Sequence, residues 1–160
     1  MTGTTIEEKA NLWPALAMFA VVYLVLSAAV AAVLIFFDLN SNTGVSIAVL
    51  LAATAAAAQK FVAGYARPLR RGEQLRFALL AIAATMLLTL VQVAAIVPIY
   101  VTAAELPQLA AEVQAWAAAN VGLVIFIAAV VVGLFFAVLY LASGWFSRMF
   151  AKRLDATSKT

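Results

Sequence analysis

The feature that most constrains this 160-residue chain is an apolar run that ends in a cluster of arginines. The run covers residues 44–66, and the short loop that follows carries Arg67, Arg70, Arg71 and Arg76. About 20 apolar residues suffice for a helix to cross the hydrocarbon core of a bilayer. Short loops rich in lysine and arginine stay on the cytoplasmic side. We therefore predict a transmembrane helix whose C-terminal end lies inside the cell.

Composition places the whole chain in the same class. Hydrophobic residues make up 67% and charged residues 11%, whereas soluble domains have roughly half and about a quarter. We predict an all-α, polytopic membrane protein, a four-helix bundle that forms one domain over residues 1–160, because no linker marks a second domain. The predicted spans are, approximately, residues 13–37, 44–66, 77–100 and 120–146.

The first span has a competing interpretation. Residues 12–28 could be the apolar region of a secretory signal peptide, followed by small residues. The apolar run continues through Val33 to Phe37, however, well past the roughly 7 to 15 residues usual for such a region. A transmembrane helix with Pro14 in its first turn, where a missing N–H costs nothing, is therefore favoured.

The lysines and arginines lie almost entirely in segments that these spans place on one side of the membrane. The segments 38–43 and 101–119 contain no lysine or arginine and are predicted to lie outside. Lys60 alone lies within a span, close enough to Ala66 to extend to the inner surface. Both termini are therefore predicted to be cytoplasmic. Seven basic residues at this surface orient the protein, and they are also candidates to hold anionic lipid headgroups, at about 1 kcal/mol each. They are Arg67, Arg70, Arg71, Arg76, Arg148, Lys152 and Arg153.

Residues 102–119 are too polar to span a membrane. Their larger apolar residues recur at steps of three and four: Leu106, Leu109, Val113 and Trp116. Glu105, Gln108 and Glu112 occupy other faces. This pattern predicts an amphipathic helix that lies on the outer membrane surface or prolongs the last span outward. The acidic residues could bind cations or a basic partner, but a solvated helix face is favoured.

The third span carries a polar row, Thr85, Thr89 and Gln92, on one helix face. Such a row belongs inside the bundle. It indicates either interhelical hydrogen bonds, which average about 0.6 kcal/mol each in membranes, or the wall of a polar pathway. Hydrogen bonds are favoured, because a pathway would need an ionisable partner. Pro98 is expected to bend or end this span near its outer end.

Two rows of small residues at four-residue steps predict close helix packing. The rows are Ala48, Ala52 and Ala56 in the second span, and Ala129, Gly133 and Ala137 in the last. They mark an interface without identifying the helix on its other side.

No chemistry-bearing motif accompanies the spans. The sequence has no cysteine and no histidine, which excludes thiolate and histidine metal sites and histidine proton relays. It also lacks GxxxxGK[ST], GxGxxG and GxSxG. We therefore predict no catalytic residue, no cofactor, no metal and no nucleic-acid partner, and we do not expect an enzyme.

The run NTGVSIAVLLAATAAAAQKFV, residues 42–62, followed by Arg67, Pro68 and Glu73, resembles a family of small uncharacterised bacterial inner-membrane proteins with four predicted transmembrane helices. The resemblance covers about the middle of the chain. It implies a bacterial origin and a plasma-membrane location, and it supplies no catalytic or binding residues.

Two classes of function remain open. The first is a structural, accessory or regulatory membrane component that packs against a partner protein or a second copy. The second is a small transporter or exporter, similar in size to small multidrug pumps. Those pumps carry a carboxylate within the first helix, whereas residues 13–37 contain none and Asp38 lies at the edge. A proton-coupled carrier without a buried acid lacks its coupling group, so the first class is favoured. An enzyme acting on lipid ranks third, because the outer carboxylates have no nucleophile or metal set beside them.

Overall fold

Five helices make up the computed structural model, which describes residues 10–37, 43–100, 102 and 104–157. They are α1 (Trp13–Phe36), α2 (Thr43–Tyr65), α3 (Arg71–Tyr100), α4 (Leu106–Ala119) and α5 (Val121–Thr157). Helices α1, α2, α3 and α5 are long and apolar enough to cross a membrane. No strand occurs in the described ranges. The prediction of an all-α protein with four membrane-capable helices is therefore confirmed. The predicted outer turn falls outside the described residues, apart from Thr43.

The predicted spans match α1 and α2 closely, but α3 and α5 extend beyond theirs. Helix α3 begins at Arg71 rather than near residue 77, and α5 continues to Thr157 rather than ending near residue 146. Hydropathy marks where a helix enters lipid, whereas the helix itself continues into water if its residues favour it. The 37 residues of α5 extend about 55 Å, well beyond the about 30 Å of hydrocarbon. At the other end of α3, Pro98 lies in the last turn.

The four long helices form a bundle in which consecutive spans are not always neighbours. Helix α1 packs against α2 and α3, and α5 packs against the same two helices. Among the described residues, the backbones of α2 and α3 do not approach each other, so these helices lie diagonally across the bundle. Neighbouring helices are about 8–10 Å apart, which gives a diagonal of roughly 11–14 Å. The six Cα steps from Tyr65 to Arg71 reach up to ~20 Å, so the loop 66–70 can cross the end of the bundle.

Most of the core lies beside this loop, at the end of the bundle called the arginine end below. In α1 and α3 the buried residues fall within 15–19 and 74–81, and in α5 within 139–151. Leu69 of the loop is 5% exposed and belongs to the core, which it covers at the arginine end. Phe19 of α1 and Phe77 of α3 meet edge to face, with ring centroids 6.0 Å apart.

At the opposite end, called the open end below, burial among the described residues is confined to α2, whose Val49 and Leu50 are buried. No residue is buried in 20–37, 82–97 or 121–138. Helix α2 is the most enclosed span, with 44% of its most apolar window buried, against 11% or less in the other three. The large apolar side chains exposed on the other helices are suited to contact lipid, which is as apolar as they are.

Candidate functional site

An ion pair between Arg67 of the loop and Glu73 in the first turn of α3 holds the loop at the arginine end. Arg67 donates from Nη2 to Glu73 Oε1 at 2.7 Å and from Nη1 to Glu73 Oε2 at 2.8 Å. The backbone N–H of Arg70 donates to the same Oε2 at 2.8 Å. Arg70 is the N-cap of α3 and Glu73 is its third residue, so the carboxylate forms the reciprocal half of a capping box. One carboxylate thus closes the loop and starts the helix.

Aromatic rings extend this anchor to the N-terminal side of the bundle. The guanidinium of Arg67 lies 5.4 Å from the ring centre of Phe61 and 5.7 Å from that of Tyr65, within the range of a cation–π interaction. The hydroxyl of Tyr65 accepts the backbone N–H of Asn11 at 2.7 Å. The Asn11 side chain in turn accepts the N–H of Trp13 at 3.0 Å. The ends of α1 and α2 are thereby joined.

Helix α3 meets α5 at a close contact between an amide and a glycine. Gln74 is 4% exposed and donates from Nε2 to the carbonyl of Leu69 at 2.9 Å. A Cβ added at Gly144 would lie 3.0 Å from Gln74 Oε1. A Cβ here would be tight against the amide, so Gln74 would have to shift by a few tenths of an ångström to admit it. Around it, α5 presents a run of small buried residues, which are Ala142, Ser143, Ser147 and Ala151.

Beside this contact, α3 and α5 enclose a cleft of about 450 Å³ at the arginine end. Arg71 of α3 and Arg148 of α5 both line it, together with Tyr140 and Trp145. Glu73 is directed to Arg67 and is not among the lining residues. The cleft therefore presents two cations and two aromatic residues that commonly lie at the membrane interface.

Of the seven basic residues singled out from the sequence, the structure brings Arg71 and Arg148 to one cavity. Arg67 is engaged by Glu73 instead. Arg70, Arg76, Lys152 and Arg153 are exposed and do not line the cleft. The sequence could not reveal the pairing, because it depends on which turns of α3 and α5 lie side by side. The one local indication in the sequence was Trp145, three residues before Arg148, because tryptophan is enriched at the membrane interface.

The polar row of α3 divides between two environments. Gln92 donates to Ser27 of α1 at 2.6 Å, which is an interhelical hydrogen bond. Thr85 donates to the carbonyl of Ala81 in its own helix at 2.8 Å. Thr85 and Thr89 line an otherwise apolar cavity of about 420 Å³ between α3 and α5. Toward α1 and α2, Thr89 and Gln92 line a second cavity of about 250 Å³, whose other polar lining residues are Tyr23, Ser27 and Ser46.

The predicted alanine row of α2 lies beside the row that packs. Ala48 and Ala52 are exposed and Ala56 is half-buried, whereas Ala53 and Ala57 are fully buried. Six alanines between residues 52 and 58 cover nearly the whole circumference of the helix. Composition alone therefore could not fix the inward face. Larger neighbours, Leu50 and Phe61, fix it by entering the core.

The small-residue row of α5 faces outward along its length. Ala129, Gly133 and Ala137 are all exposed. A Cβ added at Gly133 would have no atom within 4 Å. The small residues of α5 that pack inside this chain lie nearer the arginine end, at Ala142 to Gly144. The sequence analysis did not single them out.

The amphipathic segment is a separate helix. The prediction of a helix near residues 102–119 is met by α4, which has no buried residue. Among the described helices, α4 contacts only α5. Asn120, which joins the two, donates from its amide Nδ2 to the carbonyl of Trp116 at 2.8 Å. Val113 and Trp116 are more than half exposed. Gln108 reaches Glu112 at 3.3 Å within the helix.

Among the described residues, no group of three or more histidine, cysteine, aspartate or glutamate side chains lies close enough to hold a metal. Comparisons with protein-family models, with curated proteins and with solved structures found no match.

Proposed function

We propose that this protein is a non-catalytic membrane component, an accessory or regulatory subunit that acts by packing α5 against a helix of another membrane protein or of a second copy. The observation that carries the proposal is the outward row of Ala129, Gly133 and Ala137. Small residues let two helix backbones approach closely, and van der Waals packing is a main source of association in lipid. Open space beside Gly133 leaves that approach unobstructed.

The proposed location is the bacterial inner membrane, with both termini in the cytoplasm. Arg67, Arg70, Arg71 and Arg148 lie at one end of the bundle, and α4, at the other, has no basic residue. The positive-inside rule assigns the arginine end to the cytoplasm. The resemblance to small bacterial inner-membrane proteins supports the choice of membrane.

A transporter remains the alternative and has less support. None of the seven acidic residues lies within the apolar part of a span, so no carboxylate is available to carry a proton through the membrane. The polar row, which would have to line a pathway, contributes Gln92 to a hydrogen bond with Ser27. Thr85 and Thr89 line an otherwise apolar cavity, and Thr89 and Gln92 line a smaller one of about 250 Å³ beside α1 and α2; no acidic residue lines either cavity.

The test is purification of the tagged protein in native nanodiscs, comparing the parent with Gly133→Leu. We expect the parent to carry a stoichiometric partner or a second copy, and Gly133→Leu to lose it while keeping its own fold, because a Cβ at this exposed position has no described atom within 4 Å. Ala128→Leu is the matched control, since it adds comparable bulk to another exposed face of α5. A parent that purifies alone, or a partner retained equally by Gly133→Leu, would contradict the proposal.

A further inference from the structure

The cleft between α3 and α5 joins two cations that the sequence separates widely. Arg71 begins α3 and Arg148 lies in the last third of α5, yet both line the same cavity of about 450 Å³. Within the part of the chain that the structure describes, neither forms an ion pair. Both side chains are exposed, so water screens much of their mutual repulsion, and a bound anion would offset the remainder. The geometry therefore favours an anionic ligand.

The surroundings indicate which kind of anion fits. Arg71 is the first residue of α3, where the positive end of the helix dipole adds to the two side chains, less the part that the Glu73 carboxylate offsets. Guanidinium groups match the oxygens of phosphate through paired hydrogen bonds. Tyr140 and Trp145 line the same cleft, and such residues are enriched at the level of lipid headgroups. A phosphate at the membrane surface satisfies all three features.

The same two helices carry an apolar cavity deeper in the bundle. It measures about 420 Å³ and is lined by α3 residues from Ile82 to Leu90 and α5 residues from Val131 to Phe135. From Gln74 to Ile82 and Thr85 the helix rises roughly 12 to 16 Å. One leaflet contains about 15 Å of hydrocarbon. An acyl chain anchored at the cleft is therefore long enough to reach this cavity along the outer surface of the seam, since Ala78, Ala81 and Leu139 between the two cavities are fully buried.

We propose that the α3–α5 seam binds one anionic phospholipid. Arg71 and Arg148 hold its phosphate in the cleft, and one acyl chain follows the seam into the apolar cavity. Gln74 and Gly144 form the floor of the cleft, where the missing side chain of Gly144 lets the two helices close beneath the headgroup. This site lies apart from the outward row of small residues, so it does not depend on the accessory role proposed above.

The headgroup is tested by replacing the two arginines together. Delipidated protein in detergent is titrated with dioleoyl-phosphatidylglycerol, and bound lipid is counted by native mass spectrometry. Arg71→Gln with Arg148→Gln should weaken binding roughly thirtyfold, the equivalent of about 1 kcal/mol for each basic residue. The control is Arg76→Gln with Lys152→Gln, which removes the same charge from exposed positions outside the cleft. It should change the affinity by less than about threefold.

Two further ligands identify the source of the phosphate. Dioleoyl-phosphatidylcholine should bind the parent far more weakly, because it has no net charge, and equal binding would overturn recognition of an anion. Inorganic phosphate should not displace the lipid at millimolar concentration, because it has no chain to occupy the seam. Displacement would show a free-phosphate site instead. Equal losses in the cleft pair and the control pair would show only general attraction to a basic surface and would also overturn the proposal.

The path of the acyl chain is tested by filling the apolar cavity. Val131→Phe places a ring in that space, whereas Ile125→Phe places one on an exposed part of α5 away from it. We expect weaker phosphatidylglycerol binding in Val131→Phe only. Circular dichroism should show the same helix content in all variants. Unchanged binding in Val131→Phe would overturn the path of the chain.

Discussion

The two ends of the bundle solve the problem of holding helices together in lipid differently. At the arginine end, aromatic rings, small residues and an ion pair close a core around Phe19 and Phe77. At the open end the same helices expose their apolar side chains, and one side-chain hydrogen bond, from Gln92 to Ser27, joins α1 and α3. Lipid provides no hydrophobic drive to bring spans together. Close packing therefore develops only where shape and polar contacts favour it.

The comparison explains why the loop matters to the fold. Arg67, Glu73 and the N–H of Arg70 fix the loop in one conformation, and the loop brings α3 diagonally across from α2. Leu69 then enters the core from the loop. At the open end, residues 38–42 lie outside the described ranges, and α4 contacts only α5. The predictions below compare matched changes at the two ends.

The largest effect should come from the aromatic core of the arginine end. Phe19 is fully buried, so Phe19→Ala should lower the free energy of unfolding by about 3 kcal/mol through lost contacts and the cavity left behind. Phe126→Ala removes the same group from an exposed position in the open half and should cost less than about 0.5 kcal/mol. Unfolding by SDS titration in mixed micelles measures both. Equal losses would show that the open half is packed as tightly as the core.

The second effect concerns the loop anchor. Glu73→Gln keeps the size of the side chain but removes the charge that accepts from Arg67 and from the N–H of Arg70. We expect a loss of about 2 kcal/mol, typical of hydrogen bonds to charged groups.

Glu112→Gln is the matched change on α4, where the carboxylate meets only the nearby Gln108 among described partners. It should cost less than about 0.5 kcal/mol. A loop anchor no more important than this surface contact would contradict the role given to Glu73.

The third prediction is that replacing two glycines of α5 by alanine changes the free energy of unfolding in opposite directions. Gly144→Ala should destabilise by about 1 kcal/mol, because the methyl group would press on a buried amide already bonded to Leu69. Gly133→Ala has open space and should stabilise the isolated protein slightly, by up to about 1 kcal/mol, since alanine favours a helix. Thermal unfolding in detergent measures both. Stabilisation of Gly144→Ala would show that Gln74 can move aside.

The smallest effect is at the end of α2. Ala66 has φ 48°, a left-handed conformation that suits glycine. Ala66→Gly should therefore raise the free energy of unfolding by about 0.5 to 1 kcal/mol. Ala63→Gly, an exposed change within the helix, should lower it by a similar amount. Scanning calorimetry can resolve the opposite shifts.

The sequence predicts the transmembrane spans better than it predicts the contacts between them. Apolar run lengths predicted the four spans, because crossing lipid needs about 20 apolar residues whatever the partners are. The inward face of α2 was not predictable, because alanines surround that helix, nor was the meeting of Arg71 with Arg148, which requires the register of two helices. Gln74 and Gly144 were missed for the same reason. Contacts between distant turns leave no periodic signal in either segment.

In the proposed orientation the two ends of the bundle lie on opposite sides of a membrane, with the arginine end in the cytoplasm. The chain has no cysteine, so single cysteines can be placed at two exposed sites, Gly72→Cys at the arginine end and Ala111→Cys on α4. The direct measurement is labelling with an impermeant maleimide in spheroplasts, before and after lysis. We predict that Ala111→Cys reacts in intact cells and Gly72→Cys only after lysis. Labelling of Gly72→Cys in intact cells would show that the arginine end lies outside and would contradict the proposed orientation.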